Sequence, residues 1–218
     1  MTRILIADDH ALIREGLKQI LGMADGLSVG GEAANGAEVI TQLRRERWDV
    51  LLLDMSMPGR SGIELIKQIK EEFPKVPILV LTMHGEQQYA VRVLKAGAAG
   101  YLTKESAPTE LVAAVRKVAA GGAYMSLAIA EKIALDFRSS NSDELPHRQL
   151  SDREFAVFLQ LAEGRSISEI ADQLCVSAKT VSTYKARVFQ KLQLQNQTEL
   201  VQYAIRHHFL NDDGEPAN

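Results

Sequence analysis

The chain is poor in cysteine: Cys175 is the only one, so no disulfide can close within its 218 residues. That usage suits a reducing compartment, and a cytoplasmic location is expected. No run approaches the roughly 20 apolar residues that cross a bilayer, so no membrane partner is expected. The opening stretch MTRILIADDH brings acids too early, and too short an apolar core, for a secretory signal. No G-x-G-x-x-G follows the first apolar run, which removes a nicotinamide-dinucleotide reading. Repeats and low-complexity tracts are missing too. Nor is there a basic excess: 25 Lys and Arg stand against 28 Asp and Glu, a net charge of −3, so any nucleic-acid surface must be local.

What remains is ordinary globular material, 46% hydrophobic and 24% charged, long enough for one large domain or two small ones. Over residues 1–122, short apolar runs alternate five times with helical spacing. Strands are expected at 3–7, 27–33, 49–54, 77–82 and 99–103, and helices at 11–23, 36–47, 61–72, 87–96 and 107–120. The first helix places Leu12, Ile13, Leu17, Ile20 and Leu21 on one face. Strands apolar on both sides and joined by helices imply an α/β fold. The expected form is a doubly wound five-stranded parallel sheet with ligands at the carboxyl ends of its strands.

The alternation stops near Gly121-Gly122. A further helix is expected at 126–137, followed by the polar stretch RSSNSDELP at 138–146, so residues 123–147 read as a linker carrying a helix. From 148 to 212 the pattern is all helical, with helices near 152–163, 167–174, 178–191 and 197–208, a small all-α four-helix domain. Ser151 and Glu154 form a capping box, and Ser177 and Thr198 are expected to cap later helices. Cys175 reads as a small core residue.

Chemistry concentrates where the apolar runs end. Asp8 and Asp9 close the first run and Asp54 closes LLLD at 51–54. In this winding order the first and third strands are neighbours, so three carboxylates converge. Close carboxylates in a partly dehydrated site repel, so without a cation at least one pKa should rise. A divalent cation such as Mg²⁺ removes the difficulty. Thr82 and Lys104 close two further strands, and a hydroxyl and an ammonium beside a metal-held carboxylate suit phosphoryl oxygens. Asp54 is then a candidate nucleophile forming an aspartyl phosphate. A phosphatase or transferase using the same aspartate is the enzymatic alternative; such hydrolases place a second acid two residues on, where Ser56 stands.

Asp8-Asp9, Asp54, Met57-Pro58-Gly59, Thr82 and Lys104 together resemble the receiver domain of two-component response regulators, over about residues 1–122. The resemblance implies a flavodoxin-like receiver in a bacterial protein, and a phosphoacceptor, not an enzyme. Asp54 would take its phosphoryl group from a sensor histidine kinase. Mg²⁺ (or Mn²⁺) would be held by Asp8, Asp9, Asp54 and the backbone carbonyl of Ser56. Thr82 and Lys104 would read the phosphoryl group, Tyr101 would be the switch aromatic, and Ser56 and His84 would stand where side chains tune phosphate lifetime.

In the helical half, ISEIADQLCVSAKTVSTYKA at 167–186 sets two short helices around a brief turn, a helix-turn-helix signature. The second helix is basic: from Ser177 to Lys191 it carries Lys179, Lys185, Arg187 and Lys191 and no acid. Val181, Val188 and Leu192 form its buried stripe. Ser182, Thr183, Lys185 and Ala186 are placed to enter a major groove, and Lys179, Thr180 and Arg187 to meet phosphates. The wider pattern from Leu150 to Leu192 resembles the LuxR/FixJ/NarL-type DNA-binding domain, with Ser182 and Tyr184 standing where that family often has Lys and His. The resemblance implies a helix-turn-helix domain that binds double-stranded DNA and a homodimer when phosphorylated. The remaining alternative is a regulator whose helical domain works by protein contact.

Overall fold

The computed structural model describes residues 1–58, 62–82, 87–127, 129–131, 145–207 and 209–210. The chain divides into two compact units, the boundary falling between Leu127 and Ala128.

The first unit alternates strand and helix: β1 (Thr2–Ala7), α1 (Ala11–Gly22), β2 (Leu27–Ala33), α2 (Gly36–Arg45), β3 (Val50–Asp54), α3 (Gly62–Glu72), β4 (Ile78–Thr82), α4 (Gln87–Lys95), β5 (Gly100–Thr103), α5 (Pro108–Ala119) and β6 (Tyr124–Met125). The sheet is parallel, in the order β2-β1-β3-β4-β5-β6. Every residue of β3 and β4 is buried, because helices cover both faces; this is why those strands read as unbroken apolar runs. On one face Ile4, Ile6, Leu52, Leu79, Leu81 and Leu102 pack with Leu111, Val115 and Val118 of α5.

Two expectations are corrected here. The sheet has six strands among the described residues, where five were expected. Tyr124–Met125 is too short to show a period; it joins because Gly121 turns the chain at φ 84° and the Tyr124 amide donates to the Ala99 carbonyl at 3.0 Å. Gly100 makes room for it, since a Cβ there would stand 2.9 Å from the Tyr124 carbonyl oxygen. In α1, Leu21 is buried and Leu17 and Ile20 pack on the core, but Leu12 and Ile13 are exposed, at 84% and 37%. The first turn of α1 follows directly on the acidic strand end, so the apolar stripe engages the sheet only from its second turn on.

The second unit holds a short 3₁₀ helix (Pro146–Gln149), then α6 (Asp152–Ala162), α7 (Ile167–Leu174), α8 (Ala178–Leu192) and α9 (Gln197–Arg206), four α-helices among the described residues from Asp152 on. Its core is aromatic: Phe155, Phe158 and Phe209 meet at ring-centroid distances of 5.2–6.0 Å. His147 is fully buried beside them, its Nδ1 2.8 Å from the Tyr203 hydroxyl. The expected helix at 126–137 lies mostly outside the described residues, as does most of the polar stretch at 138–146; residues 127 and 129–131 are helical.

Local side chains fix the helix ends. Ser151 and Glu154 form the expected capping box, and Ser166 and Glu169 form a second. Ser177 accepts from the Thr180 amide. The cap of α9 is Asn196, whose Oδ1 accepts from the Glu199 amide at 3.0 Å; Thr198 lies inside the first turn. Glu154 also ties α6 to α8 through the Lys191 ammonium at 2.6 Å. Burial opposes its ionisation, but Lys191 and Ser151 outweigh that and hold its carboxyl below the ordinary range.

Cys175 is not a core residue. It is exposed and caps α7 in the left-handed region, at φ 51° and ψ 46°. A side chain there is strained, and glycine is the residue that such a cap favours. Cys175→Gly is therefore expected to stabilise the helical unit by about 0.5–1 kcal/mol, read as a higher urea midpoint with unchanged slope.

Candidate functional site

The acid cluster forms at the carboxyl ends of β1 and β3, which the sheet order makes neighbours. Asp54, the last residue of β3, is 1% exposed, and so is Asp8. Ligand atoms of Asp8, Asp9, His10 and Asp54 all lie within 4.8 Å of one another. Lys104 reaches in from the end of β5, its Nζ 2.7 Å from Asp8 Oδ2 and 3.1 Å from Asp54 Oδ1. Its backbone amide donates to the Thr82 carbonyl at 2.7 Å, which fixes β5's exit beside β4's. Thr82 is fully buried at the end of β4. Asp8 Oδ2 and both Asp54 oxygens are buried, and the Lys104 ammonium and the Ser56 amide favour the ionised form of Asp54.

Burial pushes the Asp54 carboxyl above its ordinary range, Lys104 pulls it back, and Asp8 pushes it up again. This is the direction that converging carboxylates dictate. Buried carboxylate oxygens grouped with further oxygen donors fit a hard divalent cation. Asp8, Asp9 and Asp54 have the atoms to hold one.

Other expected residues fall around this centre. Ser56 is half-buried two residues beyond Asp54, and Met57 is buried. Tyr101 is fully buried in β5, opposite Val80 of β4, so its ring points inward. Gly59 and His84 lie outside the described residues. One residue was missed. His10 Nδ1 stands 3.3 Å from Asp8 Oδ1 and 3.0 Å from Asp9 Oδ1. Its position directly after two acids at a strand end was the available signal.

In the helical unit, Val181, Val188 and Leu192 are the buried face of α8. Lys179, Ser182, Thr183, Ala186 and Arg187 are exposed, and Thr180 and Lys185 half-buried. Lys191, counted with the basic residues in the sequence, is instead spent on Glu154 and on the Gln149 carbonyl at 3.1 Å. Lys179, Thr180, Thr183, Tyr184 and Arg187 line an open hollow of about 320 Å³ beside the Ser177 cap. Tyr184 was not among the expected DNA contacts.

Residues 4–116 match the family described as response regulator receiver domain, and residues 148–204 the family described as bacterial regulatory proteins, luxR family. The chain is 40% identical over 211 residues to the response regulator UvrY of Escherichia coli (strain K12), covering 97% of each chain. It is 38% identical over 207 residues to the response regulator GacA of Pseudomonas viridiflava, covering 95% of this chain and 97% of that one. Among solved structures, RcsB from Salmonella enterica serovar Typhimurium, bound to promoter rprA in the presence of the phosphomimetic BeF3⁻, superposes with a TM-score of 0.68 at 33% identity. That match covers 93% of this chain and 98% of the other.

Proposed function

The chain belongs to the response regulators that join a receiver domain to a luxR-family domain, and from that premise we propose a phosphate-controlled transcription regulator working through Asp54 and α8. It is a regulator and not a turnover enzyme, as its relatives are. The phosphoryl donor is a sensor histidine kinase. Asp54 attacks phosphorus, the bond to the donor nitrogen breaks, and the imidazole keeps that electron pair and takes up a proton. Lys104 and Thr82 receive the phosphoryl oxygens. Asp8, Asp9, Asp54 and the Ser56 carbonyl hold Mg²⁺ or Mn²⁺, which when bound neutralises charge on the transferring group. Contacts made by the new phosphate with Thr82 and Lys104 favour one conformer of Thr82 and Tyr101, a population shift that promotes a homodimer. A dimer sets two α8 helices on paired half-sites of double-stranded DNA, with Ser182, Thr183, Lys185 and Ala186 toward bases and Lys179, Thr180 and Arg187 toward phosphates. No described helix is long and apolar enough to cross a membrane, which agrees with a cytoplasmic setting.

The observation that carries this reading is the burial of Asp54 against Lys104 at 3.1 Å, in a chain whose α8 has no acid. Incubation with Mg²⁺ and acetyl phosphate should add the mass of one phosphate and tighten DNA binding in the same sample. Phosphate uptake without any change in DNA affinity would retain the receiver chemistry and remove the output mechanism. DNA affinity is also expected to fall steeply with salt, and Arg187→Ala to lower the log–log slope by about 1. A slope unchanged by that substitution would take Arg187 off the phosphates.

A further inference from the structure

Resting on the DNA-reading role just proposed, we infer that α8 reads A·T pairs, through adenine amino groups and thymine methyls, because the face it turns to a groove is a hydrogen-bond acceptor. Ser182, Thr183 and Ala186 make up the neutral part of that exposed face. The Ser182 hydroxyl donates to the Ala178 carbonyl at 2.9 Å, and the Thr183 hydroxyl to the Lys179 carbonyl at 2.9 Å. A hydroxyl has one proton. With it committed to the helix backbone, each oxygen meets DNA with lone pairs only.

In the major groove the donors are the adenine N6 and cytosine N4 amino groups, while guanine offers only the acceptors N7 and O6. Accepting an amino proton keeps both backbone bonds; turning a hydroxyl outward to donate to guanine gives one up. The basic side chains that could read guanine have other contacts in the free protein. Lys185, set toward bases, rests its Nζ over the Phe189 ring, 5.4 Å from its centroid, and gives that contact up to reach a guanine. Lys179 and Arg187 line the hollow with Thr180, Thr183 and Tyr184, a basic, hydroxyl-bearing concavity that suits a phosphate and places Thr183 at its edge beside the base-facing residues. The Ala186 Cβ and the Thr183 methyl are apolar and small, the surface that a thymine methyl meets. Only an A·T pair presents an amino donor and a methyl group together.

The test uses the full-length protein with Mg²⁺ and acetyl phosphate, and a library of random duplexes of about 24 base pairs, room for two half-sites one turn apart. The enriched duplex is then resynthesised with single functional groups deleted: purine for adenine, uracil for thymine, 7-deazaguanine for guanine. Purine at one or two positions of each half-site should weaken binding about 3- to 10-fold, the worth of one hydrogen bond. That penalty should vanish in Ser182→Ala or Thr183→Val, whose helix content is checked by circular dichroism. Uracil should cost about 4-fold where a methyl is lost from contact. Binding that depends on guanine N7, or on none of these groups, would overturn the inference and leave the DNA-reading role standing. A library from which no sequence is enriched would overturn both.

Discussion

Asp54→Asn is expected to abolish phosphate uptake from acetyl phosphate and, at the same time, to make the metal-free protein more stable. Loss of uptake follows because, among the described residues, no other carboxylate has the position of Asp54, buried at the end of β3 with the Lys104 ammonium 3.1 Å from its Oδ1. The gain in stability follows from the cost of the charge. Burial raises the Asp54 pKa above its unfolded value, so the folded site disfavours the ionised carboxylate more than water does. That penalty is present above the raised pKa and is relieved as pH falls toward the unfolded value. An amide carries no such penalty. The variant should therefore be more stable by on the order of 1–3 kcal/mol at pH 7, the scale for a buried charged group lacking full partners. The two proteins should converge as the medium is acidified. Mg²⁺ should close the gap from the other side, since a ligand of the native state at 100 times its Kd adds about 2.7 kcal/mol. Intact mass after acetyl phosphate treatment and thermal melts between pH 5 and 8, with and without Mg²⁺, decide the matter. An Asp54→Asn variant that gained as much from Mg²⁺ as the wild type would remove Asp54 from the metal site.

Lys104→Met should act in the opposite direction on the same cluster. It deletes the ammonium that touches both buried acids, at 2.7 Å from Asp8 and 3.1 Å from Asp54. Removing one partner of a buried ion pair leaves uncompensated charge and costs about 3–5 kcal/mol. Because Lys104 lowers the Asp54 pKa, its loss raises that pKa further. The destabilisation is greatest where Asp54 is ionised and shrinks as pH falls through the raised value. Urea titrations at pH 7 and pH 5 measure it. The double substitution with Asp54→Asn should be less destabilised than Lys104→Met alone, a non-additivity expected of groups in direct contact. Equal losses at both pH values would show that Lys104 matters for packing and not for charge.

Much of this was legible in the chain. The alternation of apolar runs and helical spacing placed β1 to β5 and α1 to α5 to within a residue or two, because both patterns repeat within a few residues. Asp8, Asp9, Asp54, Thr82 and Lys104 were legible as a group because each ends an apolar run, and a parallel sheet gathers such ends at one edge. The basic character of α8 was visible as a stretch without acids, and the N-caps of α6 and α8 as Ser residues three positions before a partner amide.

Other features were decided by contacts between distant residues. Leu12 and Leu21 have equal hydropathy, but only Leu21 meets the sheet core. Cys175 looked like packing material, yet the end of α7 turns it into a left-handed, exposed cap. Lys191 belongs by composition to a nucleic-acid face and by geometry to Glu154, 37 residues away. The sixth strand exists because Gly100 lets two residues pair that carry no periodic signal. By itself, then, the sequence determined the order of elements, the sheet's winding and the identity of the acid cluster, all of which follow from short-range pattern and chain connectivity. The tertiary structure alone decided which apolar and charged side chains are covered and which are left to act, since burial and pairing depend on neighbours that the chain brings in from far along its length.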